Sequence, residues 1–140
     1  MNVEVNYLAV VLAVVSSIVV GSIWYAPPVF GNTWMKLVGL KKEKMGKNGW
    51  LPMVVTVLVS FLTAYVLAHV SYLSNYYFGN SFLQDALTTG FWLWLGLTAA
   101  RLIMHDAFEG RPVKLTVLNV AHQFVTIMVM AAVIGFMGVA

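Results

Sequence analysis

The sequence predicts an all-α membrane protein: an antiparallel four-transmembrane-helix bundle with a short interfacial helix between the first and second crossings. Three observations carry that expectation. First, 61% of the 140 residues are hydrophobic and only 9% charged, against about 45–50% and about 25% in soluble domains. The mean hydropathy of +0.85 agrees. Second, no Asp, Glu, Lys or Arg occurs from Val5 to Met35, from Asn48 to Gln84 or from Leu115 to Ala140, and a shorter gap runs from Ala86 to Ala100. A helix rises ~1.5 Å per residue, so about 20 apolar residues cross a ~30 Å hydrocarbon core. Third, all 8 Lys and Arg fall into two regions separated by an even number of crossings. Barrel strands are excluded, because the apolar stretches are continuous rather than alternating.

The first crossing is expected at Val5–Tyr25, where Pro27-Pro28 stops it: proline lacks the amide donor and clashes with the preceding turn. MNVEVN is not a basic leader, and no small-residue cleavage site precedes WYAPPVFG, so this segment reads as a retained crossing. The connection PPVFGNTWMKLVGL is too apolar for a solvated loop. Over about 32–40 it suits an interfacial helix, capped by Asn32 or Thr33, with Trp34, Leu37 and Val38 towards lipid and Lys36 towards water. The stretch KKEKMGKNG that follows is soluble in character. The second crossing is expected at Leu51–Leu73. The third is expected at Phe82–His105, capped by Asn80 or Ser81. The fourth is expected at Pro112–Met137, with proline in its first turn. Trp24, Tyr25, Trp50, Tyr72, Tyr76 and Tyr77 lie near helix ends, as interface aromatics do. One domain accounts for residues 1–140.

Orientation follows from the cations. Lys36, Lys41, Lys42, Lys44 and Lys47 lie in the first connection, and Arg101, Arg111 and Lys114 around the third. By the positive-inside rule this side is cytoplasmic, and both termini are outside. The expected location is the bacterial inner (plasma) membrane, with anionic lipid headgroups against the basic side. The same placement makes nucleic acid an unsuitable partner despite a pI near 9.3. With no cysteine, disulfide scaffolds, thiol catalysis and Cys-based metal sites are excluded.

The run GSIWYAPPVFGNTWMKLVGL, with FWLWLGL and FEGRPVKLTVLNVAHQFV further on, resembles a widespread bacterial family of small four-helix membrane proteins known only as a domain of unknown function. The W-Y-x-P-x-x-F-G-x-x-W block from Trp24 to Trp34 carries most of the likeness, which extends over nearly the whole chain. The resemblance implies a bundle fold. It supplies no activity, and no catalytic residue is carried over from it.

The fourth crossing holds a polar stripe. At 100° per residue, Thr116, Asn119, His122, Gln123 and Thr126 fall within a sector roughly 120° wide. Met130 continues that face, and Leu118, Ala121, Val125 and Ala132 lie opposite, on a lipid-compatible side. Polar groups facing hydrocarbon without partners cost several kcal/mol each, so the stripe must meet other helices, another subunit or water. Small or hydroxylated faces are available for it: Ser16, Ser17 and Gly21 on the first crossing, and Thr56, Ser60, Thr63 and Ala64 on the second. The third offers Thr89, with Gly96 and Ala100 as a small-xxx-small pair. The stripe is either interhelical hydrogen-bonding glue or the lining of a polar path.

His122 stands near the bilayer middle, where ionisable groups are candidates for function. His69 lies roughly 13 Å away in depth by helix rise, and His105 belongs at the cytoplasmic edge. The three cannot share one metal or haem; three depths would suit a proton relay. No cofactor or metal is expected. At the cytoplasmic edge Arg101, His105, Asp106, Glu109 and Arg111 form a possible cluster for an anionic headgroup or substrate, although Arg101 also fits snorkelling to headgroups. Trp92 and Trp94 point to different sides of their helix and suit packing. Aspartate-rich diphosphate motifs, H-E-x-x-H, phosphate-binding glycine loops and G-x-S-x-G are absent, and a Ser16 or Ser17 pairing with His122 is the only nucleophilic arrangement on offer. The sequence thus leans away from an enzyme. It leaves a homo-oligomeric channel or transporter for a small solute or proton, an accessory subunit of a membrane assembly, and a lipid-binding protein or membrane enzyme at the cytoplasmic edge.

Overall fold

Asn6 starts the first helix. Its backbone is extended and its side-chain oxygen accepts the Ala9 amide proton at 3.1 Å, satisfying one of the donors that a helix start leaves open. The computed structural model describes residues 2–40 and 49–139, and these form helices with no strand among them. Helix α1 spans Tyr7–Trp24. After Ala26 the chain does not open into a loop: Pro27–Gly31 makes a π-helical turn that runs straight into α2, Asn32–Val38. Helical backbone thus already precedes Asn32, which explains why neither Asn32 nor Thr33 caps α2; Gly31 holds that position without a side-chain bond. Gly31 is obligatory, since a Cβ there would strike the Tyr25 carbonyl oxygen and the Ala26 backbone. Trp34, expected to face lipid, instead packs edge-on against Tyr25 at 5.5 Å. Lys41, Lys42, Lys44 and Lys47 lie outside the described residues.

The second long helix, α3, spans Trp50–Phe78. It continues past Leu73 because Ser74, Asn75, Tyr76 and Tyr77 remain helical until Gly79 turns the backbone left-handed at φ 68°. Ser81 then caps α4 (Phe82–Leu93), accepting the Gln84 amide proton at 3.2 Å. A π-helical stretch over Trp94–Ala99 and helix α5 (Ala100–Glu109) continue this third span to Glu109, beyond the expected end at His105. Helix α6 spans Val113–Met137 with Pro112 at its N-cap. The spans Tyr7–Trp24, Trp50–Phe78, Phe82–Glu109 and Val113–Met137 are each long and apolar enough to cross a membrane.

Helix α6 packs against both α1 and α4. At one end Asn6 Nδ2 donates to the Gly138 carbonyl at 3.3 Å; towards the other, the Tyr25 hydroxyl donates to Asn119 Oδ1 at 3.0 Å. Glycine sets the α4–α6 distance. A Cβ on Gly135 would lie 2.8 Å from Leu83 Cα, and one on Gly90 would lie 3.0 Å from Ala131 Cβ. The expected Gly96–Ala100 contact does not form: both are exposed, and nothing lies within 4 Å of a Cβ built on Gly96. The core gathers Ala9, Val10, Ala13 and Val14 of α1, Ala64, Leu67 and Ala68 of α3, and Met130, Ala131 and Ile134 of α6. It therefore fills the half of the bundle nearest the termini. In the other half, towards Lys36, Arg111 and Lys114, residues Leu51 to Val59 of α3 are exposed on every face. There α3 parts from its neighbours.

Candidate functional site

Where α3 leaves the bundle, a cavity of about 480 Å³ opens between α1, α3 and α6. Polar side chains of three helices line it beside the apolar Ile18, Met53, Val55, Val59, Ile127 and Met130. Helix α1 contributes Ser17, Gly21, Ser22 and Tyr25; α3 contributes Thr56, Ser60 and Thr63, which share one face at i, i+4 and i+7. Helix α6 contributes His122, Gln123 and Thr126. Gly21 makes room for the histidine: a Cβ there would sit 3.7 Å from His122 Nε2. The Ser17 and Ser60 hydroxyls share a hydrogen bond of 2.9 Å across the α1–α3 gap. Beyond that pair the apolar core closes the cavity towards the termini.

The expected stripe of α6 divides among three settings. Thr116 leaves it and donates to Asp106 Oδ2 at 2.7 Å. Asn119 is taken by Tyr25. His122, Gln123 and Thr126 line the cavity. His122 stands beside the rings of Tyr25 and Trp24, with centroids at 4.8 and 5.9 Å. Its Nε2 lies 3.3 Å from Thr126 Oγ1, and its buried Nδ1 has no hydrogen-bond partner among the described residues. Gln123 makes no side-chain hydrogen bond among them, so its whole amide is available to the cavity. On the side of α6 opposite the stripe, Leu118 is buried and Ala121, Val125 and Ala132 are half-buried. Tyr25 had been read only as an interface aromatic; nothing in its sequence context marks it as the partner of Asn119 and neighbour of His122.

The basic-end cluster assembles in part. Arg111 Nε donates to Glu109 Oε2 at 2.6 Å and lies 3.9 Å from Asp106 Oδ1. The hydrogen bond and the charge of Glu109 hold the Arg111 guanidinium still higher than its ordinary range. His105 Nδ1 lies 3.5 Å from Glu109 Oε1. Arg101 is exposed and makes no ion pair among the described residues. His105, Asp106 and Glu109 bring ligand atoms within 4.8 Å of one another, a spacing that a metal ion could use, although none was expected here. Arg111 already neutralises Glu109, and Thr116 already donates to Asp106, so these carboxylates have partners without an ion. His69 lies apart, beside Tyr65 with ring centroids at 5.2 Å.

A second polar knot was not anticipated. Asp85, 2% exposed, accepts from Asn75 Nδ2 at 2.8 Å and from Asn80 Nδ2 at 2.9 Å. These bonds tie the end of α3 to the start of α4, where the helix dipole also favours a carboxylate. A lone acid at the edge of an apolar segment, five residues after one asparagine and ten after another, was the available signal. Of the paired tryptophans, Trp94 donates Nε1 to the Val120 carbonyl at 3.2 Å and packs edge-on against Phe124 at 4.7 Å. Trp92 is 62% exposed.

Four apolar spans and little charge mark a multi-pass membrane protein with a helical-bundle fold. No enzyme motif accompanies that class. Within it, the chain belongs to the family described as Protein of unknown function (DUF1761), whose model matches residues 8–135. No curated protein and no solved structure matches the chain.

Proposed function

We propose that this protein is a small membrane carrier that receives a polar solute from the cytoplasm into the cavity between α1, α3 and α6. In this reading the spans form one antiparallel bundle in the bacterial inner membrane. The basic end faces the cytoplasm and anionic headgroups, both termini face outward, and α2 lies along the inner interface. The observation that carries the proposal is the asymmetry of the bundle. The cavity opens in the basic half, while Ala9, Val10, Ala13, Ala64, Leu67, Met130 and Ala131 seal the opposite half. A continuous pore would have polar lining at both ends; a site open to one side and closed to the other is what a carrier needs between its steps.

The chain contains no cysteine, so access can be mapped with single replacements. Ser60→Cys and Gln123→Cys should react with a membrane-impermeant thiol reagent in inside-out vesicles and be protected in right-side-out ones. Protection from both sides would show a dry, structural polar contact and end the carrier reading. A second reading, an accessory subunit or homo-oligomer that buries α3 against another chain, is favoured by the exposure of Leu51 to Val59. It expects disulfide cross-links from cysteines placed on that stretch, and the carrier reading tolerates them.

A further inference from the structure

We infer that the solute taken by this cavity is uncharged and rich in hydrogen-bond donors, in the chemical class of small polyols and ureas; the inference rests on the carrier reading above. Among the described residues the lining contains no Asp, Glu, Lys or Arg. A charged solute would lose its hydration there and meet no counter-charge.

The direction of the hydrogen bonds selects further. A hydroxyl has one proton to give and two lone pairs to receive with. Around this cavity the protons are spent within the helices. Ser22 donates to Ile18 O at 2.8 Å, Thr56 to Pro52 O at 2.8 Å and Thr63 to Val59 O at 2.9 Å. The Ser17 proton is taken up by Val14 O at 2.7 Å or by the Ser60 hydroxyl at 2.9 Å. What Ser22, Thr56 and Thr63 present is therefore acceptor lone pairs. Turning a hydroxyl round to donate would break a bond its own helix already makes. Among the described residues, donors come from the free amide of Gln123, from the Ser60 hydroxyl and, depending on its tautomer, from His122. A solute whose O–H or N–H groups point outward satisfies such a wall, and one that can only accept leaves most of it unmet.

Proteoliposomes test this by stopped-flow light scattering under imposed gradients of four named solutes. Glycerol and urea are neutral donors. Trimethylamine N-oxide, of similar size, has no donor, and methylammonium is a charged donor. Glycerol or urea should enter at least threefold faster than in protein-free vesicles, and the other two should not. The isosteric pair Thr56→Val with Thr63→Val removes two acceptors at nearly constant volume and should cut that increment at least threefold. Thr56→Ser with Thr63→Ser, which restores the hydroxyls, should recover it, while circular dichroism and size-exclusion profiles confirm that both variants stay folded. If trimethylamine N-oxide or methylammonium crosses at a rate that Gln123→Leu reduces while glycerol and urea do not, the solute class is wrong and the carrier reading stands. If no solute exceeds the protein-free rate, or if Gly21→Leu and Gln123→Leu leave every rate unchanged, the inference and the carrier reading fall together.

Discussion

A methyl group placed at Gly21, Gly96 or Gly135 probes the cavity and the packing at once. In a helix interior, Gly→Ala gains ~0.8–1 kcal/mol of intrinsic propensity. Whether that gain survives depends on what the new carbon meets. At Gly96 it meets nothing within 4 Å, and at Gly21 only His122 Nε2 at an ordinary 3.7 Å. Both variants should gain close to the full ~1 kcal/mol. At Gly135 the carbon meets Leu83 Cα at 2.8 Å, Leu83 Cδ1 at 2.9 Å and Ala86 Cβ at 3.2 Å. A backbone atom cannot rotate away, so α4 must shift, and such overpacking costs ~1–3 kcal/mol. Gly135→Ala therefore nets between no change and ~2 kcal/mol of destabilisation. It should fall ~1–3 kcal/mol below Gly21→Ala. Reversible unfolding in mixed detergent micelles, followed by circular dichroism, measures the series. Gly21→Leu adds a functional arm: its branch extends into the 480 Å³ space, so the fold should hold while thiol labelling at Gln123→Cys slows several-fold. Should Gly135→Ala prove as stable as Gly21→Ala, the close α4–α6 approach is wrong, and the geometry of the cavity wall built on α6 goes with it.

Asp85→Asn replaces a carboxylate that accepts from two amides with a group that presents its own N–H₂ to one of them. With bonds to charged groups worth ~1.5–3 kcal/mol, the variant should lose about 2 kcal/mol in the same unfolding assay, and an unchanged midpoint would remove the α3–α4 knot as a stabilising element. Tyr25→Phe deletes a single interhelical bond, and a loss near ~0.6 kcal/mol is expected; a loss several times larger would mean that Tyr25 holds more than Asn119. Arg111→Gln should leave the midpoint where it is, because its ion pair with Glu109 is exposed and exposed pairs add little. On intact cells, Glu4→Cys should react with an impermeant maleimide and Lys36→Cys should not, the reverse pattern marking an inverted bundle.

The crossings were legible because long uncharged runs have one physical use, and some starts were marked by residues with few alternatives, such as Ser81 before α4 and Pro112 before α6. Boundaries slipped where polar residues stayed helical. Ser74 and Asn75 read as a turn, yet Asn75 remains in α3 because its side chain finds both the Asn80 carbonyl and Asp85. The polar sector of α6 was legible from its angular spacing, but its division was not. Thr116, Asn119 and His122 lie on one face at three heights: Thr116 meets Asp106 of α5, Asn119 meets the Tyr25 hydroxyl, and His122 stands beside the rings of Tyr25 and Trp24. Small residues showed the same limit. Gly96 and Ala100 have the spacing of a contact pair and are both exposed, whereas Ala86–Gly90 and Ala131–Gly135, two pairs of the same spacing, do bring helices together, Gly90 against Ala131 and Gly135 against Ala86. Spacing gives a helix its faces; only the placement of other helices decides which face is used.

That placement explains why the cavity begins where it does. Ala9, Ala13 and Ser17 repeat every fourth residue along α1, and Ser60, Ala64 and Ala68 do so along α3. Their alanines share one buried cluster, and the serines at the ends of the two series bond to each other at 2.9 Å. Along this ladder small side chains let the helices pack closely. Past the serine pair, α1 still offers Gly21 and α3 still offers Thr56, so the faces remain small, yet the helices no longer meet. What changes is the third side. His122 and Gln123 of α6 replace Met130 and Ala131, and their polar ends cannot be closed over by α3 without stripping them of partners. Three helices that cooperate in excluding water over one half of the bundle thus leave a hydrogen-bonding chamber in the other, and its threshold is the Ser17–Ser60 bond.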